Sequence, residues 1–139
     1  LSNLFPIMNN THDFNFDNQF PYPGMEWLNY NDQKVLYIDY RMKSRDEMID
    51  LLEHTAKFIQ EYDGEILLLS DITDATVDSY CLEKTKIYGS QILKQHLKKS
   101  AALGVSGIKK FFANLYIKYS GSEIRFFDNK TSALKFLTS

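Results

Sequence analysis

Cysteine is nearly absent. Cys81 is the single one in 139 residues, so no internal disulfide can form. A reducing, cytoplasmic setting fits such a chain better than a secreted one. Proline is scarce too: Pro6, Pro21 and Pro23 are all there are, and all precede residue 25. No apolar run is long enough to span a bilayer. Leu1 to Asn10 holds no basic residue and no long apolar core, so no signal peptide is expected there. His12, His54 and His96 are scattered without metal-ligand spacing. Neither a Walker lysine pattern nor dinucleotide-type glycine spacing occurs, and no Ser-His-Asp set can be assembled. The formal net charge is -2, which gives no bulk attraction to nucleic acid or to an anionic membrane. Together these absences point away from an enzyme, and no cofactor or metal is expected.

What is present suits one globular domain. Hydrophobic residues make up 44% and charged residues 24%, both ordinary fractions. The chain divides into an arm, residues 1–24, and a domain, residues 25–139. The arm holds the prolines and is dense in Asn, and no Lys or Arg occurs before Lys34. Phe5, Phe14, Phe16, Phe20 and Tyr22 are many aromatics for a solvated tail. The arm is therefore expected to pack on the domain or on a second subunit, and a homo-oligomer, most simply a dimer, is expected.

Within the domain, hydrophobic period sets the elements. Glu26–Tyr30 and Lys34–Tyr40 read as strands joined by Asn31-Asp32, residues that tolerate a tight hairpin turn. Ser44 and Glu47 form a capping box for a helix that Asp63-Gly64 ends. Ile66–Leu69 is a short apolar run suited to a central parallel strand. A polar loop, Ser70–Asp78, leads to a helix capped by Asp78 or Ser79 that continues toward Lys98. Ala101–Val105 is the next buried strand. Ser106 caps a third helix with the face Ile108, Phe111, Phe112, Leu115 and Tyr119, ended by Gly121. Ile124–Phe127 is the last strand, and Asp128 caps a final helix bearing Ala133, Leu134 and Leu137. The order β-β-α-β-α-β-α-β-α predicts an α/β fold: a mostly parallel sheet covered by helices, with an N-terminal antiparallel hairpin.

Three stretches carry a family resemblance: Val35–Tyr40, Leu67–Ala75, and Ala101–Lys110 continued by Tyr119-Ser120-Gly121 and Ile124–Asp128. Together they resemble the SpoIIAA-like family, which is related to STAS domains and grouped with Sec14-type lipid binders. The resemblance spans Met25 to Leu137. It implies a STAS-like fold and a regulatory, non-catalytic role like that of anti-sigma-factor antagonists, which bind a kinase-like protein partner. Phosphorylation of a serine at the start of the second domain helix blocks that binding in the sporulation proteins. The matching place here is Asp78-Ser79, which makes Ser79 the candidate phosphoacceptor. Tyr80 and Cys81 follow it, where the family pattern has adjacent serines and then glycine. The Sec14 kinship implies the alternative of a small-ligand or lipid carrier.

In open parallel sheets, ligands sit outside the carboxyl ends of the strands. Asp39, Asp71, Thr73, Asp74, Asp78, Ser79, Ser106 and Gly107 are all expected on that edge. Asp39, Asp71 and Asp74 have the chemistry to hold a hard cation, but turn formation is the preferred reading. Gly104-Val105-Ser106-Gly107 can bring backbone donors to an anion, and a close strand-to-helix turn is again preferred. Cys81 in a first helical turn is placed to have a lowered thiol pKa, although an inert, partly buried thiol is expected. Charge is divided along the chain. Asp46 to Glu83 holds many acids and only Lys57 as a strong base, whereas Lys84 to Ser122 holds lysines and no acid. Lys109 and Lys110, on the third helix, are candidates for docking an acidic partner.

Overall fold

The computed structural model describes residues 22–88, 94–107, 110, 114 and 124–139. Its strands are β1 (Met25–Tyr30), β2 (Gln33–Asp39), β3 (Ile66–Asp71), β4 (Leu97–Leu103) and β5 (Ile124–Phe127). Its described helices are α1 (Arg45–Glu61), α2 (Ser79–Tyr88), α3 (Lys94–His96) and α4 (Lys130–Leu137). Among the described residues the strands form one sheet in the order β1-β2-β3-β4-β5. β1 runs antiparallel to β2, and every later pairing is parallel.

Alternation along the strands divides the core between two faces. Leu36, Ile38, Ile66 and Leu68 face α1, where Leu51, Leu52, Phe58 and Ile59 meet them. Val35, Tyr37, Leu67 and Leu69 face α4, against Ala133, Leu134 and Leu137. Both faces of the central strands are covered, as the continuous apolar run in β3 requires.

Local signals act as expected at several points. Asn31 and Asp32 both have positive φ, 51° and 62°, the pairing that a two-residue type I′ hairpin needs. Ser44 Oγ accepts from Glu47 N–H at 3.3 Å, and Glu47 Oε1 accepts from Ser44 N–H at 2.9 Å. The hairpin turn is also stapled to the other end of the chain. Asn31 Nδ2 donates to Thr138 Oγ1 at 3.2 Å, and Gln33 Nε2 donates to the Thr138 carbonyl at 2.8 Å.

The structure corrects four boundaries. The second helix does not reach Lys98: helix is described over Ser79–Tyr88 and Lys94–His96, and Leu97 to Ser100 belong to β4. Tertiary partners override the local pattern there. Leu97 pairs with Ile66 and Lys99 with Leu67 across a register shift. The Lys99 ammonium caps α4, donating to the carbonyls of Phe136 at 3.0 Å and Ser139 at 2.9 Å. β4 also stops before Val105, because Gly104 turns the chain at φ 78°. Ser70 and Asp71 extend β3 rather than opening the loop. Asn129, not Asp128, caps the last helix, its Oδ1 accepting from Ser132 N–H at 2.9 Å; that oxygen sits three residues before the donor, the spacing a cap needs. The expected face Ile108, Phe111, Phe112, Leu115 and Tyr119, with Gly121, lies outside the described residues. So does the arm up to residue 21, while Tyr22 stacks on His54 with ring centroids 3.6 Å apart.

Gly104 is the tightest backbone approach. A Cβ there would overlap Thr73 Cα, N and Oγ1, and its φ is positive. Gly104→Ala is expected to lower stability by about 2 kcal/mol or more, from the left-handed backbone and the overlap together. Urea denaturation followed by circular dichroism measures it; a change within about 0.5 kcal/mol, the scale of a neutral surface substitution, would refute the close approach.

Candidate functional site

The carboxyl edge is built outward from the register. Asp39 of β2, Asp71 of β3, Leu103 of β4 and Phe127 of β5 stand side by side. Hydrogen bonds continue past the strand ends and lock the loops together. Tyr40 N–H donates to the Asp71 carbonyl at 2.9 Å, Met42 N–H to Thr73 at 3.0 Å, Ile72 N–H to Leu103 at 2.9 Å, and Thr76 N–H to Lys43 at 2.9 Å.

Asp71 is buried. Its Oδ1 accepts from Thr73 Oγ1 at 2.6 Å and from Thr73 N–H at 3.1 Å. Its Oδ2 accepts from the buried Tyr37 hydroxyl at 3.4 Å. Lys130 at the start of α4 lies over the Tyr37 ring, 4.4 Å from its centroid. Burial, reinforced by the charges of Asp71 and Asp39, pushes the Tyr37 pKa up to about 12. Asp39 is engaged otherwise: Arg41 grips it with Nε at 2.8 Å and an amino group at 2.9 Å. That pairing holds the Asp39 carboxyl below its ordinary value. Asp39 and Asp71 thus lie side by side on one edge, and their oxygens are engaged by protein donors. Asp74 is exposed in a turn at φ 56°. Among the described residues no group of three or more His, Cys, Asp or Glu side chains is arranged to hold a metal.

The amino ends of α1 and α2 meet beside this edge. Asp78 caps α2, its Oδ1 accepting from Cys81 N–H at 3.0 Å. Its Oδ2 accepts from Arg45 Nε at 2.8 Å and from a second Arg45 nitrogen at 2.6 Å. The Cys81 amide and then Arg45 hold the Asp78 carboxyl below its ordinary value. Ser79, the first residue of α2, is left exposed. The Arg45 guanidinium also lies 5.1 Å from the Tyr80 ring centroid, and the Lys84 ammonium 5.8 Å. Ser44, Arg45, Asp46, Thr76 and Asp78 line a shallow open cleft of ≈ 260 Å³. Cys81 is buried, in line with the buried thiol preferred from the sequence, and burial pushes its pKa up rather than down. Desolvation outweighs the helix end here.

Ser106 and Gly107 lie past β4, and both are exposed, as is Lys110; Lys109 falls outside the described residues. Sequence reasoning missed Arg41, Arg45, Met42 and Tyr80. Arg41, two residues after Asp39, was a readable signal, since a fork two positions on can close over a carboxylate. Met42 is 77% and Tyr80 42% exposed, and nothing in their sequence context announces that.

Two expectations follow. Asp78→Ala removes the α2 cap and is expected to cost about 1 kcal/mol, whereas Ser79→Ala stays within about 0.5 kcal/mol. The Asp78 contribution is complete above the ordinary carboxylate range and disappears as pH falls through the lowered native value. Equal losses in the two variants, measured by denaturation at neutral pH, would contradict this capping. Tyr37 works in the opposite direction. Its raised pKa gives stability that is full below 10.0 and is lost as pH rises toward about 12. Tyr37→Phe is expected to flatten the fall in urea midpoint over that window, and an unchanged slope would remove Tyr37 from the account.

No protein-family profile matches the chain, and no curated protein matches it either. Among solved structures it is similar to an uncharacterised protein of the DUF3478 family from Shewanella loihica PV-4, described as having a SpoIIAA-like fold. The TM-score is 0.55 at 22% identity, and the match covers 81% of this chain and 91% of that one. With the antiparallel first hairpin and the parallel strands that follow, the comparison shows that this chain has the SpoIIAA-like α/β fold.

Proposed function

We propose that this chain is a non-catalytic regulatory domain. It docks a protein partner on the carboxyl edge of its sheet, around Met42, Arg45, Ser79 and Tyr80. One observation carries the reading: two large apolar side chains stand exposed there, Met42 at 77% and Tyr80 at 42%, on backbone fixed by hydrogen bonds. Rigid exposed aromatics and methionine beside arginine are the composition of interface anchors. Of the acids on this edge, Asp71, Asp39 and Asp78 are already bonded to Thr73, Tyr37, Arg41 and Arg45. The open cleft lined by Ser44, Arg45, Asp46, Thr76 and Asp78, at ≈ 260 Å³, is below the ~300–1,000 Å³ usual for small-ligand pockets, so this edge suits docking better than enclosing a carried ligand.

The finer reading likens the chain to the anti-sigma-factor antagonists. The partner is then a kinase-like protein, and Ser79 is where a phosphate would disturb docking. Ser79 is exposed and sits beside Asp78 and Arg45, so an added phosphate alters charge at the centre of the surface. A dimer in the reducing cytoplasm belongs to the same proposal.

Site-specific photo-crosslinking in the source cells tests it. With a photoreactive phenylalanine analogue at Tyr80, a discrete protein adduct is expected, and none from the same analogue at Lys135. Met42→Asp is expected to cut the adduct at least about fivefold without lowering the thermal midpoint, as befits loss of an interface anchor. Ser79→Glu is expected to weaken it too. No adduct at position 80, or one indifferent to Met42→Asp, would reject this surface.

A further inference from the structure

We infer that Met42 is a reversible oxidation site, through which a peroxide would switch the docking surface off. The inference rests on the docking reading for its consequence, but not for the chemistry. Met42 is the exposed methionine among the described residues: it is 77% accessible, whereas Met25 is 7% accessible and Met48 is partly buried against the core. Its backbone holds φ 58°, a left-handed state that residues with side chains disfavour. Two neighbours fix it there. Met42 N–H is bonded to the Thr73 carbonyl at 3.0 Å, and Lys43 N–H to the Tyr40 carbonyl at 3.1 Å. The thioether is therefore presented to solvent on a loop that has no slack to withdraw it.

The step balances with a hydroperoxide as oxidant. The Met42 sulfur attacks one peroxide oxygen, the O–O bond breaks and an S–O bond forms. Sulfur loses two electrons, and the peroxide is reduced to water or an alcohol. The product replaces a flexible apolar tip by a polar sulfoxide. Because the side chain touches no core, the fold is unaffected. Because it is the most exposed apolar group on the proposed surface, docking is lost. A methionine sulfoxide reductase restores the thioether.

The folded full chain would be treated with hydrogen peroxide, quenched at intervals and mapped by peptide mass spectrometry. Mapping separates Met42 from Met25, Met48 and Met8, the last of which lies outside the described residues. Met42 is expected to gain one oxygen at least about tenfold faster than Met25, as accessibility governs this chemistry. The thermal midpoint of chain oxidised at Met42 is expected to match that of the untreated chain, and reductase to reverse the modification. A Met42 rate no faster than Met25, or a falling midpoint, would overturn the inference. The crosslink from position 80, repeated on oxidised and re-reduced chain, reads the consequence. It is expected to fall at least about fivefold and to return, since an apolar interface anchor is what the sulfoxide removes. An undiminished crosslink from oxidised chain overturns the switch. No crosslink from untreated chain rejects the docking reading instead, while the oxidation rates still decide the site.

Discussion

One buried carboxylate holds the functional edge together. Asp71 lies at the last position of β3, where three loops leave the sheet. Its backbone carbonyl takes the Tyr40 amide, and its side chain takes Thr73 and Tyr37. Thr73 in turn fixes Met42 through its carbonyl and presses against Gly104. The loops after β2, β3 and β4 are thereby registered on two residues. Removing one partner of a buried charged group leaves the other unsatisfied, which is why such a hub admits little variation. The rigidity of the Met42 loop, on which both the docking and the oxidation readings depend, follows from it.

The edge also differs from the usual carboxyl end of a ligand-binding α/β sheet. There, helix amino ends and free polar side chains point at an open crevice. Here α1 and α2 turn their amino ends toward each other, and Arg45 and Asp78 close the gap between them. The α2 end is spent on its own Asp78 cap and the α1 end on its Ser44–Glu47 box. Charge that would serve a ligand is consumed within the molecule. What stands outward is Met42 and Tyr80 among the exposed polar residues Thr73, Asp74, Thr76 and Ser79, and the docking reading rests on that pair.

Much of this was legible in the sequence where the cause was local. The Asn31-Asp32 turn and the Ser44–Glu47 box are each decided within a few residues, and each appears as read. Elements decided by distant partners were not legible. Leu97 to Ser100 carries two lysines and follows a helical pattern, yet it is a strand because Ile66 and Leu67 offer a ladder and α4 offers its carbonyls to Lys99. The candidate site divides the same way. Asp39, Asp71 and Thr73 were placed correctly on one edge by counting strand ends. That their oxygens are occupied depends on Tyr37 and Arg41 reaching them, and the exposure of Met42 depends on three loops folding around it. No spacing rule encodes either.

The staple between the first hairpin and Thr138 bears on the order in which the molecule is made. Asn31 and Gln33 meet a residue that follows them by more than a hundred positions. A hairpin with so favourable a turn can form as soon as it leaves the ribosome, in microseconds. Its α4-facing side, with Leu28 and Tyr30, has nothing to rest on until Ala133, Leu134 and Leu137 emerge. Synthesis proceeds at about 5–20 residues per second, so for several seconds a nascent two-stranded ribbon carries uncovered apolar surface. The lysine at position 34 and the acid at position 26 keep charge along that ribbon, the kind of guard that lowers the hazard of premature strand pairing.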